Sequence, residues 1–173
     1  MEEETLDVVD EKDQFIRKTT RKEVTEKVLL HRVSRVIIYD ESGKILVQKR
    51  SRDKKTFPSH WDIGVAETVQ SGEGYEGAAM RGLNEELGIL GVSNIQLIHS
   101  FLFKIRFESQ ETREHCKVYK IQYNGDINFQ KEEIEETDFL TTSEINDIIL
   151  KNSFHPVGKM AFEKYLQLIS TKK

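Results

Sequence analysis

The stretch that decides the fold is Gly72–Ile89, with the sequence GEGYEGAAMRGLNEELGI. It opens on a glycine-containing turn, and Met80, Leu83 and Leu87 then follow at i, i+3 and i+7, which is the spacing of one helix face. Gly88 comes directly after the last of them, where helices commonly end. The segment therefore predicts a loop that leads into a helix with one apolar face.

The other side of this helix carries acids. Positions 82, 85 and 86 share one side of the helical wheel, and Glu85 and Glu86 place two carboxylates there, one turn beyond Arg81. Adjacent carboxylates repel each other unless water or a cation relieves the field. Mg²⁺ prefers oxygen ligands and often binds one or two carboxylates together with substrate phosphates. Because paired glutamates are also typical of a solvated helix face, the pair alone leaves both interpretations open.

Composition excludes several classes of function. The 173 residues include 26 Lys+Arg and 30 Asp+Glu, a net charge of −4, and one cysteine. One cysteine excludes a disulfide framework and a multi-cysteine zinc site. The acidic balance argues against wholesale binding to nucleic acid, and no apolar run reaches the roughly 18 residues that a membrane span needs. We therefore expect a cytoplasmic protein with neither nucleic acid nor a membrane as partner.

Strand-type runs dominate the middle of the chain and helical patterns are interspersed, which is typical of an α+β fold with a mixed sheet. The amino-terminal residues predict two short strands joined by a polar turn at Asp10–Asp13. Trp61–Val69 is expected to form one strand. Ser143 is expected to cap a helix, and the last helix is expected to cover Val157–Ile169.

The quoted stretch resembles the signature of the Nudix hydrolase family. That signature is a Gly, five residues, a Glu, seven residues, then Arg-Glu-apolar-x-Glu-Glu-x-Gly-apolar. Seven of the nine specified positions match at the right spacing: Glu73, Arg81, Leu83, Glu85, Glu86, Gly88 and Ile89. The resemblance implies an α/β/α sandwich that residues 1–173 form as a single domain, with an amino-terminal extension of short strands at 1–30 and the signature loop and helix at 67–89.

The resemblance also implies an activity. Family members hydrolyse a diphosphate linkage, which points to a small phosphorylated substrate of the nucleoside-diphosphate type and to Mg²⁺ or Mn²⁺ as cofactor. Carboxylates on the signature helix bind the ions in the family, so Glu85 and Glu86 are expected to be metal ligands and catalytic residues. Glu73 and Arg81 match a pair that mainly braces the loop against the helix.

Two positions depart from the signature. Glu67 stands where the family has its first Gly, and Gly82 stands where it has the Glu that follows the Arg. Gly82 has no side chain to bind a metal, and a glycine inside a helix costs about 0.5–1 kcal/mol relative to alanine. We hypothesise that Glu67 returns the missing carboxylate as a metal ligand; the alternative is a solvent-facing strand residue. The loss at Gly82 also leaves open a catalytically weak nucleotide-binding or interaction module.

Further candidates lie outside the signature. Arg50 and Arg52 belong to a basic cluster with Lys54 and Lys55, and arginine can hold phosphate oxygens with two parallel hydrogen bonds; a solvated loop is the alternative. The run of charges at 131–136 is typical of a solvated loop. In the family, a carboxylate from a later loop can serve as a metal ligand or general base, which makes Glu133 a candidate catalytic residue.

Flanking segments, such as Leu29–Arg32 and Thr56–Trp61, resemble the branch that includes isopentenyl-diphosphate isomerase. The Cys-Gly-His of the isomerase aligns with residues 66–68, which read Ala-Glu-Thr, so its essential thiol is missing there. Cys116 lies in a strand-type run and is expected to be buried. Isomerase activity is therefore the less favoured alternative.

Overall fold

The structure, a computed structural model, describes residues 4–107 and 110–171. Within these ranges no helix combines the length and the apolar character needed to cross a membrane. The elements in chain order are β1 Thr5–Val9, β2 Phe15–Thr20, α1 Arg21–Lys27, β3 Leu30–Tyr39, β4 Ile45–Arg50, β5 Trp61–Ile63, β6 Val65–Thr68, α2 Tyr75–Leu87, β7 Gln96–Phe107, β8 Gln110–Gln122, β9 Ile134–Leu140, α3 Thr142–Leu150 and α4 Pro156–Ser170.

Strand β3 is the centre of a mixed sheet. It runs parallel to β8 along its whole length, and β7 pairs antiparallel with β8 on the outer side. On its other edge, β3 pairs antiparallel with β6 and meets β4 only at Tyr39 and Ile45. Strand β4 pairs antiparallel with β5 and β9. Strands buried on both faces read as continuous apolar runs, and Val36, Ile37 and Ile38 of β3 are all 0% exposed.

Helices cover both faces of this sheet. Leu83 and Leu87 of α2 pack on one face, against residues such as Val36. Ile145 of α3 and Phe162 of α4 pack on the opposite face, with the alternate residues of β3. The prediction of an α/β/α sandwich with a mixed sheet is therefore confirmed.

Three local predictions were wrong. Trp61–Val69 is split into β5 and β6, because Gly64 turns the chain with a φ of +57° and passes so close to β3 that a Cβ there would lie 1.7 Å from Val36 O. Helix α3 is capped by Thr141 in a reciprocal capping box with Glu144, so Ser143 is not the cap. The charge run at 131–136 is only partly a loop, since Ile134 begins β9 and is buried.

The amino-terminal segment forms the predicted pair of short strands, β1 and β2, followed by α1. Leu6 and Val24 are buried together there. Asp13 fastens this segment to the rest of the protein: Arg32 Nε donates to its Oδ1 at 2.6 Å and the Tyr75 hydroxyl donates to its Oδ2 at 3.0 Å. The segment is therefore held against both β3 and α2.

Candidate functional site

Helix α2 has the bounds that its sequence predicts. It begins after Gly74 and ends at Gly88, which adopts a left-handed conformation with a φ of +67° and donates its N–H to carbonyls of the last turn. Ala79 and Leu83 lie on its buried face. Gly82 is buried as well, whereas Glu85 is exposed and Glu86 is partly buried.

Arg81 ties the preceding loop to this helix. Its Nε donates to Glu73 Oε1 at 3.2 Å, and its Nη2 donates to Glu73 Oε2 at 3.0 Å and to Thr68 O at 2.9 Å. Glu73 Oε2 also accepts from Gln70 N at 3.0 Å. Although burial opposes it, these hydrogen bonds hold the pKa of Glu73 below its ordinary value. The structure thus brings together the two residues that the resemblance pairs as a brace.

Glu67 lies across Gly82. A Cβ built on Gly82 would be 3.0 Å from Glu67 Cβ and 3.4 Å from Val65 Cγ2. The Glu67 carboxylate pairs with Arg81 Nη1 at 3.1 Å and accepts from Thr68 N at 3.0 Å. Because its side chain is only 16% exposed, Glu67 is not the solvent-facing strand residue of the alternative interpretation.

Glu86 is the neighbour of Glu67 in this site. Burial raises the pKa of Glu86 to about 7, and the charge of Glu67 acts in the same direction. Burial also raises the pKa of Glu67, while Arg81 opposes that shift. The two carboxyl groups therefore oppose each other's ionisation. A bound cation would favour the charged form of both.

Glu85 takes a more peripheral position. Its side chain is 53% exposed and lies 3.6 Å from Arg81 Nη1, so Arg81 is shared between Glu67 and Glu85. In the arrangement described for residues 4–107 and 110–171, no three Asp, Glu, His or Cys side chains converge on one point that could hold a metal. Any metal here would therefore take its remaining ligands from other groups.

Gln48 offers one such ligand. It is a buried polar residue of β4 whose side chain acts to lower the pKa of Glu86, and within the described part of the chain its Oε1 has no hydrogen-bond partner. Glu67, Glu86 and Gln48 Oε1 form an oxygen-only set, which is the chemistry that Mg²⁺ and Mn²⁺ prefer. The residues present thus fit a divalent ion that is also held by phosphate and water. A Gln directly after the apolar run Ile45–Val47 is the sequence signal that could have identified it.

The two candidate arginines have different surroundings. Arg50 is partly buried, with its Nε and Nη2 donating to the carbonyls of Phe57 and Thr56 at 3.2 and 3.0 Å. Its charge nevertheless acts on Glu86. Arg52 is 80% exposed and lies beside Glu135, with 3.5 Å between Nε and Oε1. Only Arg50 is brought close to the helix carboxylates.

Glu133 lies in the turn before β9 and forms an ion pair with Lys54. The Lys54 ammonium also acts on Glu86, and burial lowers its own pKa. Lys54 therefore joins Glu133 to the carboxylate site. The sequence shows Lys54 only as one member of a basic cluster, without a signal for this pairing.

A second buried polar cluster lies among β3, β5 and α4. Arg35 Nη1 donates to Asp62 Oδ1 at 2.5 Å, and His155 Nδ1 lies 3.8 Å from Asp62 Oδ2.

Cys116 is 0% exposed, as predicted, and burial raises the pKa of its thiol to about 12. Buried thiols of this kind are inert, so Cys116 has no environment for proton transfer.

Comparisons with known proteins agree with this architecture. The NUDIX domain family model matches residues 29–159. The uncharacterized Nudix hydrolase SCO1686 of Streptomyces coelicolor is 31% identical over 163 residues, which are 94% of this chain and 88% of that protein. The uncharacterized Nudix hydrolase YfcD of Escherichia coli K12 is 31% identical over 142 residues, which are 82% of this chain and 76% of that protein.

Solved structures share the fold. DR0079 from Deinococcus radiodurans superposes with a TM-score of 0.75 at 24% identity, covering 94% of this chain and 99% of that one. The NUDIX domain of Shewanella oneidensis NrtR, solved in complex with ADP ribose, has a TM-score of 0.62 at 11% identity, with 80% and 87% of the two chains covered. The family match and the relatives together show that this chain belongs to the Nudix hydrolase family.

Proposed function

We propose that this protein hydrolyses a diphosphate linkage in a small substrate of the nucleoside-diphosphate type, with Mg²⁺ or Mn²⁺ as cofactor, in the cytoplasm. Glu67, Glu85 and Glu86 are its proposed metal ligands. Glu85, Glu86 and Glu133 are its proposed catalytic carboxylates.

The observation that carries the proposal is the position of Glu67 over Gly82. The chain lacks the signature acid at 82, but the Glu67 side chain contacts that position and its charge acts on Glu86. The number of acids near the helix is thereby preserved. A bound divalent ion would supply charge neutralisation at the phosphates and an activated water.

The surrounding residues have distinct tasks in this proposal. Arg81 and Glu73 hold the loop, and hence Glu67, against α2. Lys54 and Arg50 place positive charge beside Glu86, where phosphate oxygens of a substrate would gather. Arg52, which the basic cluster in the sequence also suggests for substrate binding, reaches a substrate only if it leaves Glu135.

The test is a screen of nucleoside diphosphates and triphosphates, dinucleotides and sugar nucleotides with Mg²⁺ and with Mn²⁺. Glu86→Gln removes a ligand but keeps the shape of the side chain. We expect it to lower kcat by more than the roughly 10–100-fold that loss of an outer-shell partner costs, and to weaken Mn²⁺ binding measured by electron paramagnetic resonance. Glu163→Gln, an exposed acid on α4, is the matched control. Full activity in Glu86→Gln would contradict the proposal.

A second candidate is a nucleotide-binding module with little turnover. It is favoured by the engagement of Arg81 with both Glu67 and Glu85, which leaves these acids paired with a cation of the protein. Calorimetry with a methylene-bridged nucleoside diphosphate and Mn²⁺ separates the two functions. Tight binding of this analogue without hydrolysis of any substrate in the screen would favour the module.

A further inference from the structure

A cavity of about 200 Å³ lies next to the carboxylate site. Thr68 lines it and directly follows Glu67, and its N–H donates to Glu67 Oε1 at 3.0 Å. Arg21 also lines it, and the charge of Arg21 acts on Glu67. Since pockets for whole small ligands measure roughly 300–1,000 Å³, this cavity has room for one part of a substrate.

The amino-terminal segment builds one wall of this cavity. Leu6 of β1 and Arg21, Val24 and Thr25 of α1 line it, and Leu6 and Val24 are 1% and 3% exposed. Ser71 N donates to Thr5 O at 2.8 Å, which fixes β1 against the loop that leads into α2. The wall is therefore a packed part of the protein.

The part of the wall that β3 and β8 form presents hydrogen-bond acceptors. His31 is 8% exposed, and its Nδ1 hydrogen-bonds Leu29 O at 3.1 Å. Because a carbonyl only accepts, Nδ1 carries a proton, and in the neutral imidazole Nε2 is then an acceptor. No partner of Nε2 is found within residues 4–107 and 110–171.

Glu114 is the second acceptor on this wall. Its Oε1 accepts from Thr112 Oγ1 at 2.9 Å, and in the described part of the chain it has no ion pair. The other acid of the wall, Glu111, is already paired with Lys104 and Arg106 at 2.6 and 2.9 Å. Glu114 is thus the carboxylate that remains available to a ligand.

We infer that this cavity binds the organic group attached to the diphosphate, and that it selects a compact group whose N–H donors face His31 and Glu114, such as a nucleobase amine or an alkylammonium. The apolar surfaces of Leu6, Val24 and Phe57 cover the remainder of that group. The inference rests on the proposed function, which places the diphosphate at the neighbouring carboxylates.

The test uses two cavity variants of the full-length protein. Thr25→Trp fills the rim of the cavity from an exposed position, and Glu114→Gln removes the negative charge at constant size. Lys22→Gln on the exposed side of α1 and Glu163→Gln on α4 are the matched controls. Two ligands are titrated in the presence of Mn²⁺. One is the methylene-bridged nucleoside diphosphate that binds most tightly to the wild-type protein, and the other is inorganic pyrophosphate.

We expect Glu114→Gln to weaken binding of the nucleoside analogue about 10-fold or more, since one hydrogen bond to a charged group contributes that much. Thr25→Trp should weaken it at least as much, because the indole occupies space that the organic group needs. Pyrophosphate, which has no organic group, should bind within about twofold of wild type. Equal losses for both ligands, or no loss for the analogue, would overturn the inference. If wild type hydrolyses nothing but the selective loss is seen, the cavity assignment stands and the hydrolase proposal fails.

Discussion

Glu67 lies directly across from Gly82, in tight contact with the space that a side chain at 82 would enter. A Cβ on Gly82 would lie 3.0 Å from Glu67 Cβ and 3.5 Å from its Cγ. These are the two positions where the chain departs from the family signature, and each holds the residue type that the signature has at the other. The two departures are therefore coupled in space, although they lie on different elements.

Restoring the signature acid alone should harm the protein. Gly82→Glu places a side chain against Glu67 and Val65, and overpacking of this kind costs about 1–3 kcal/mol. We expect a lower free energy of unfolding in urea and no gain in turnover. A variant as stable as wild type with much higher turnover would contradict the coupling.

Exchanging both residues should relieve that cost. In Glu67→Gly/Gly82→Glu the acid is returned to α2 and the space across from it is empty. We expect a coupling free energy of at least about 1 kcal/mol between the two substitutions, and Mn²⁺ affinity close to that of wild type. Strictly additive effects of the single variants on unfolding would refute this expectation.

The Arg81 fork should not tolerate lysine. Arg81→Lys keeps the positive charge but cannot bind both oxygens of Glu73 and the Thr68 carbonyl at once. We expect the free energy of unfolding to fall by about 1–3 kcal/mol, because the partners are partly buried. Arg106→Lys, at an exposed pair, is the control and should have a far smaller effect. Equal effects at both positions would show that the fork geometry is unimportant.

Gly158 should be irreplaceable in α4. In an open helix, alanine is more stable than glycine by about 0.5–1 kcal/mol. Here a Cβ would lie 2.0 Å from Asp62 Oδ1, so Gly158→Ala must displace a buried carboxylate that is bonded to Arg35. We expect a loss of about 2 kcal/mol or more in thermal unfolding. Gly74→Ala, where a Cβ meets nothing within 4 Å, is the control.

His155 should make stability fall in mild acid. Burial lowers its pKa to about 4 from the ordinary 6.5; Arg35, Arg50 and His60 act in the same direction, and Asp62 opposes them. Between these values the unfolded chain binds more protons than the folded one, so stability decreases as pH falls. From pH 7 to pH 4.5 the loss should be about 2 kcal/mol.

The measurement is the free energy of unfolding across this pH range for wild type and His155→Gln. The pKa of Asp62 is lowered, so its carboxylate stays ionised throughout the window and does not contribute to the slope. The variant should lose this part of the pH dependence. Parallel curves for the two proteins would show that the imidazole does not titrate in this way.

Local spacing explains what could be predicted. The bounds of α2 follow from one continuous stretch whose period and capping glycines agree, whereas the Glu73–Arg81 brace was expected only from the resemblance to the family signature. The N-cap of α3 could also have been predicted, since Thr141 and Glu144 have the spacing of a capping box. Ser143, two residues further on, is a second hydroxyl residue that could cap the helix. The prediction failed by choosing the wrong hydroxyl residue.

Long-range contacts explain what could not. The ion pair between Lys54 and Glu133 joins the loop after β4 to the turn before β9, and neither segment has a pattern that refers to the other. The Arg35–Asp62–His155 cluster likewise joins residues of β3, β5 and the start of α4, which are far apart in the sequence. The split at Gly64 depends on how closely the chain passes Val36 O, a distance that the sequence does not encode locally.

The amino-terminal segment has an evolutionary consequence. The family match begins at residue 29, whereas Leu6, Arg21 and Val24 of the cavity wall precede it. Part of the proposed cavity wall therefore lies outside the stretch that carries the signature helix, whereas His31 and Glu114 lie inside it. Under the proposed cavity assignment, exchanging the first 28 residues between two relatives should alter the wall that Leu6, Arg21 and Val24 form and leave the signature helix unchanged.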